Sequence, residues 1–70
     1  MKLQVNGETK SIATNSTSIS LAEIMKILGH NPRLVVVEFN GAIIPPINWD
    51  KQLVKNGDSL EIVSIVGGGS

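Results

Sequence analysis

Near the carboxyl end three glycines stand together, Gly67-Gly68-Gly69, followed by Ser70. Their type and spacing bear more directly on chemistry than any other part of the chain. A run without Cβ atoms has nothing to pack and the widest backbone freedom a chain can have. It adds nothing to a core. It is either an unstructured end of linker composition, or a thin arm suited to a space too narrow for a Cβ. Composition alone leaves both readings open. Reactive groups elsewhere are few. The absence of cysteine excludes a disulfide, a thiolate nucleophile and a thiolate metal site. His30 is the only histidine and cannot build a zinc site without carboxylates. It follows a helix end, where an imidazole meets terminal carbonyls, and is not read as catalytic. Glu38 and Glu61 fall on adjacent strands and read as solvated charges, as do Lys26, Lys51 and Lys55. No catalytic dyad or triad emerges. The Gly67–Ser70 run also lacks the spacing and the lysine of a phosphate-binding loop.

Seventy residues allow one domain and a small core, burying roughly 60% of the unfolded surface. Six basic residues balance six acidic ones, which argues against a nucleic-acid surface or an electrostatic membrane binder. The apolar runs are far shorter than the ~20 residues of a membrane span. No signal-peptide pattern opens the chain. The expectation is a small, soluble, cytoplasmic domain. Such a domain is too small to enclose an active site, so its chemistry requires a partner.

The elements that must position the glycines can be taken in order. Met1 to Val5 alternates as a half-buried strand, with Leu3 and Val5 on one face. Asn6-Gly7 predicts a type I′ hairpin turn, and Glu8 to Ile12 the returning strand. Ala13 to Ser18 reads as loop. Ser20-Leu-Ala-Glu23 predicts a capping box, with Ile19 and Ile24 placed to close a hydrophobic staple. Leu21, Ile24, Met25 and Leu28 share one helical face, Met25 as core filler. Gly29 predicts a left-handed C-cap, and Pro32 forbids resumption. Leu34 to Phe39 is a β-branched run with Val35, Val37 and Phe39 opposite Val36 and Glu38. Asn40-Gly41 repeats the turn signal, and Ala42 to Ile44 predicts a short strand before Pro45-Pro46 breaks it. Trp49 to Val54 is expected to form a short helical turn, its Trp49 ring packed on the sheet edge or part of a docking surface. Asn56-Gly57-Asp58 is a further turn. Leu60 to Val66 is the last strand, with Leu60 and Ile62 facing one way and Glu61, Val63 and Ile65 the other.

A hairpin, one crossing helix and further strands give an α+β fold of the β-grasp, or ubiquitin-like, type. The expected sheet is mixed and four- to five-stranded, its first and last long strands parallel at the middle and the helix across one face. The domain is expected over residues 1–66 and a flexible Gly-rich tail over 67–70.

Met1-Lys-Leu-Gln-Val-Asn-Gly7, the Ser20-Leu-Ala-Glu23 cap, Val36-Val-Glu-Phe-Asn-Gly41, Ile44-Pro45, Trp49, Asn56-Gly-Asp58 and Ile65-Val-Gly-Gly-Gly69 together resemble the ThiS family. These are sulfur carrier proteins of thiamine biosynthesis. The resemblance runs over the whole chain in order and spacing. It implies a protein cosubstrate, not an enzyme. A carboxylate is a poor electrophile until its oxygen is converted to a better leaving group. The family's C-terminal glycine is activated as an acyl-adenylate by a ThiF-like adenylating enzyme, which uses ATP and magnesium. A sulfur donor protein then yields a thiocarboxylate that gives its sulfur to thiazole synthase. Spacing from Asp58 places the family's diglycine on Gly68-Gly69, so Gly69 is the reacting end. Ser70 departs from the pattern. It must be trimmed first, or it marks an inactive or precursor form, or it was added by cloning. Pro46 also departs, standing where many relatives have a basic residue.

On this reading Gly67, Gly68 and Gly69 let an extended end enter a tunnel in the partner, while Val63, Ile65 and Val66 flank the tail and dock. The alternative for Val63 and Ile65 is burial by the sheet's twist. Neighbouring classes are a molybdopterin-type sulfur carrier, a ubiquitin-like modifier joined to lysines, and an interaction domain with an inert tail. No bound cofactor or metal, a monomer, and no nucleic-acid or membrane partner are expected.

Overall fold

The computed structural model describes residues 1–65. Val66, Gly67, Gly68, Gly69 and Ser70 lie outside the described residues. The chain forms β1 (Lys2–Val5), β2 (Glu8–Ser11), β3 (Ser18–Ser20), α1 (Leu21–Ile27), β4 (Val35–Phe39), β5 (Ala42–Ile43), β6 (Leu53–Lys55) and β7 (Ser59–Ser64). The main sheet is ordered β2-β1-β7-β4-β5, with β1 and β7 parallel and the other neighbours antiparallel. This is the expected mixed β-grasp sheet, with the last strand at its centre.

Both Asn-Gly turns form as their chemistry dictates. Asn6 has φ 52° and Gly7 φ 83°, and Asn40-Gly41 repeats this at 48° and 90°. A two-residue turn with both φ values positive matches the twist of the strands it joins. Register follows from it, pairing Val5 with Glu8 and Phe39 with Ala42.

The helix is fixed at both ends. Its first three amides are all engaged: Leu21 donates to the Gln52 carbonyl at 2.7 Å, Ala22 to Trp49 at 3.1 Å, and Glu23 to the Ser20 hydroxyl at 3.1 Å. The return bond of a capping box, from the Glu23 carboxylate to the Ser20 amide, is not among the hydrogen bonds of the described residues. At the other end Gly29 has φ 80°, its amide donates to Lys26, and the His30 amide donates to Met25. That is the Schellman pattern, satisfying carbonyls the helix would otherwise leave open.

Two element assignments are corrected. Ala13 to Ser18 is not loop throughout, because Ser18 begins β3, which pairs with β6 through Ser18–Lys55, Ile19–Val54 and Ser20–Leu53. Nor does Trp49 to Val54 form a helical turn. The 3₁₀ turn comes earlier, at Pro46–Asn48, started by a proline at its first position, and Leu53–Lys55 is strand. Three-residue strands are too short for a period-two signal; long-range pairing, not local pattern, makes them.

The core lies between the main sheet and α1. Leu3, Val5, Val37, Leu60 and Ile62 contribute from the sheet, Leu21, Ile24 and Met25 from the helix, and Val54 from β6. Trp49 joins them at 3% exposure, its indole Nε1 donating to the Ile44 carbonyl at 2.8 Å. The ring is therefore core, neither a sheet-edge cover nor a docking surface. Its polar edge is satisfied where burial demands it.

Candidate functional site

The strand that leads to the glycines is held from both sides. β7 pairs with β1 through Gln4–Ser59 and Val5–Leu60, and with β4 through five residue pairs from Phe39–Leu60 to Val35–Ser64. The last described residue, Ile65, still donates its amide to the Leu34 carbonyl at 2.8 Å.

The turn asparagines lengthen this grip. Beyond the short β1–β7 pairing, Asn6 donates its amide to the Leu60 carbonyl at 2.9 Å. Its side chain then imitates a backbone unit: Oδ1 accepts from the Ile62 amide at 2.7 Å, and Nδ2 donates to the Ile62 carbonyl at 3.2 Å. Asn40, just after β4, also reaches β7, its Oδ1 accepting from the Ser59 amide at 2.8 Å while its Nδ2 donates to Asp58 Oδ1 at 3.2 Å. Sequence reasoning read both asparagines as turn formers and missed this second task. A signal existed, since Asp or Gly would serve the turn as well, but of the three only the side chain of Asn both donates and accepts.

Replacing Asn6 therefore separates two costs. Asn6→Gly keeps the positive φ and loses the side-chain bonds, an expected destabilisation of about 1–2 kcal/mol. Asn6→Ala adds the cost of a left-handed alanine, about 1 kcal/mol more. Urea midpoints of the two variants check the order.

Val63 and Ile65 are 58% and 59% exposed, so the sheet's twist does not bury them. They stand on the sheet face opposite Leu60 and Ile62, as expected. The register adds residues that sequence reasoning did not place beside them. Val36 pairs with Val63, and the Leu34 carbonyl receives the Ile65 amide, with Leu34 itself exposed. Ile43, 65% exposed, pairs with Glu38 across β4 and β5. An open apolar strip thus borders the C-terminal end of β7. Gly67, Gly68, Gly69 and Val66, which complete the predicted site, lie outside the described residues, as does Ser70. His30 is half-buried after the helix, and Lys26, Lys51 and Lys55 are exposed.

Among the described residues there is no cavity and no group of three His, Cys, Asp or Glu side chains placed to hold a metal. No helix among them is long and apolar enough to cross a membrane. What the arrangement offers chemically is a firm body, an exposed apolar face, and a glycine run beyond it.

The model of the ThiS family matches residues 3–69. A thiazole synthase of Paramagnetospirillum magneticum is 40% identical over 70 residues; all of this chain is covered, but it spans only 21% of that protein. The ycf40 protein of Trieres chinensis is 38% identical over 65 residues, covering 93% of this chain and 85% of that protein. The crystal structure of the thiamine biosynthesis protein ThiS from Geobacter metallireducens superposes with a TM-score of 0.82 at 31% identity, covering 99% of this chain and 100% of that one.

Proposed function

This chain belongs to the ThiS family, and from that membership we propose that it carries sulfur for thiamine biosynthesis on a C-terminal glycine. Gly69 is the reacting residue, its α-carboxylate freed by loss of Ser70. The family match carries the reading, because it extends over the body and through the glycine run to Gly69. A relative named thiazole synthase, with a segment matching this whole chain, supports thiazole synthase as the sulfur acceptor.

The chemistry divides between the chain and its partners. A ThiF-like adenylating enzyme, with ATP and magnesium, joins the Gly69 carboxylate to AMP and releases pyrophosphate. The outer sulfur of a persulfide on a sulfur donor protein attacks the activated carbonyl carbon and AMP leaves; a thiol then attacks the donor's sulfur in the resulting acyl disulfide, forming a new disulfide and releasing the thiocarboxylate. The chain supplies no catalytic group to these steps. It is a protein cosubstrate. Its own contribution is geometric: Gly67 and Gly68 deliver the carboxylate into a narrow site, while Val63, Ile65 and Val66 dock the body at its mouth. The open apolar strip beside Ile65 supports that docking role.

Intact-mass measurement tests the reading. The chain ending at Gly69 is incubated with ATP, the adenylating enzyme and a sulfur donor. The expected product is heavier by the difference between one sulfur and one oxygen, and thiazole synthase returns it to the starting mass. Conjugates to lysine would instead identify a modifier. No change in mass would leave an interaction domain with an inert tail.

A further inference from the structure

The open sheet face carries a charge arrangement that docking an apolar strip does not require. Glu38 and Glu61 are direct cross-strand partners on β4 and β7, and both are exposed. Neither carboxylate has an ion pair or hydrogen bond among the described residues, where the one ion pair, Lys10 with Glu8 at 4.0 Å, lies on the edge strand β2. Lys2, exposed on β1, sits toward the Asn56-Gly57 turn, at the opposite end of the sheet from Ile65. Like charges directly opposite one another weaken a sheet. Here they stand next to the Val36–Val63 pair and beside Ile43.

A partner that covers the strip from Ile65 and Val63 across to Ile43 covers this pair as well. Burying carboxylates without a counter-charge is far more costly than burying apolar surface is favourable. A second copy docked on the same face by two-fold symmetry would bring four carboxylates into one contact. A guanidinium meets the need differently. Cross-strand Cβ atoms lie ~5 Å apart, and the flat fork of an arginine can donate to both carboxylates at once.

We propose that this face selects a partner protein presenting an apolar surface with a basic side chain, arginine by geometry, beside it, and that Glu38 and Glu61 reject a second copy of the chain. The inference rests on the reading that this face docks the enzyme that handles the tail. It adds the feature that distinguishes this enzyme from any other apolar surface. Repulsive elements of this kind confer specificity as much as attractive ones do.

The double variant E38Q/E61Q keeps side-chain size and removes both the charge and the internal repulsion, so its Tm should equal or exceed that of the wild type. Calorimetric titration against a ThiF-like adenylating enzyme should show affinity reduced about 30-fold or more, with most of the salt dependence gone. Affinity equal to or tighter than the wild type overturns the proposal. Sedimentation of the chain alone should show a monomeric wild type and a self-associating variant. If the wild type is neither bound nor adenylated, the sulfur-carrier reading fails by itself. The sedimentation result then decides, and a variant as monomeric as the wild type overturns the proposal.

Discussion

Gly68→Val, or Gly69→Ala, is expected to cut adenylation by about 100-fold or more while leaving the fold untouched. The core side chains run from Leu3 to Ile62, and a glycine has no side chain to add to them. Substitutions of that kind shift stability by no more than about 0.5 kcal/mol. The reaction is another matter. A carboxylate must meet the α-phosphate of ATP in line, and a displacement of a single ångström is enough to lose the near-attack geometry. On the proposed function, a branched side chain one residue from the reacting carbon would obstruct a passage fitted to glycine. ATP–pyrophosphate exchange measures the step, and circular dichroism reports the fold. Normal exchange by either variant would contradict delivery through a narrow site. The same geometry predicts that the chain retaining Ser70 is silent. One added residue moves the carboxylate about 3.5 Å farther from the body that sets its depth.

The family resemblance and the fold were legible because strong local signals agreed with one another. Asn6-Gly7, Asn40-Gly41, the Ser20 cap, Gly29 and the alternation of Leu60 and Ile62 against Val63 and Ile65 each allow few conformations. They were enough to order the long strands and place the helix. What escaped was set by distant partners. Ser18–Ser20 is strand only because Leu53–Lys55 lies beside it, and each is three residues long. The sequence offers Trp49 as a cover for the sheet edge or as a docking residue beside two prolines, yet the Pro46–Asn48 turn carries it inward, to where the Ile44 carbonyl meets its indole. The exposed face was half legible. Parity along β7 separated Val63 and Ile65 from the core, but their neighbours Leu34, Val36 and Ile43 follow from register, which a single strand does not encode.

Register and parity also predict the largest stability effect in the molecule. Leu60→Ala is expected to leave a substantial fraction of the chain unfolded at room temperature. Leu60 has no exposed surface; it faces the core from the central strand, paired with Val5 on one side and Phe39 on the other. Truncating a leucine in such a place costs about 2–5 kcal/mol, with the upper end reached where neighbours cannot collapse into the gap. Here collapse is hindered, because the backbone on both sides is locked in ladders. A chain of this length has about 4–10 kcal/mol to lose, and small domains sit toward the lower figure. Val63→Ser, on the open face of the same strand, and Ile65→Ser, just beyond its end, should each change stability by no more than about 0.5 kcal/mol. Urea unfolding of the three variants checks the contrast. A Leu60→Ala midpoint equal to that of Val63→Ser would show that the two faces of β7 had been assigned wrongly. The contrast matters for function because partner docking and folding then draw on opposite faces of one strand. Loss of sulfur transfer in Val63→Ser or Ile65→Ser, with the fold intact, is attributable to the interface alone.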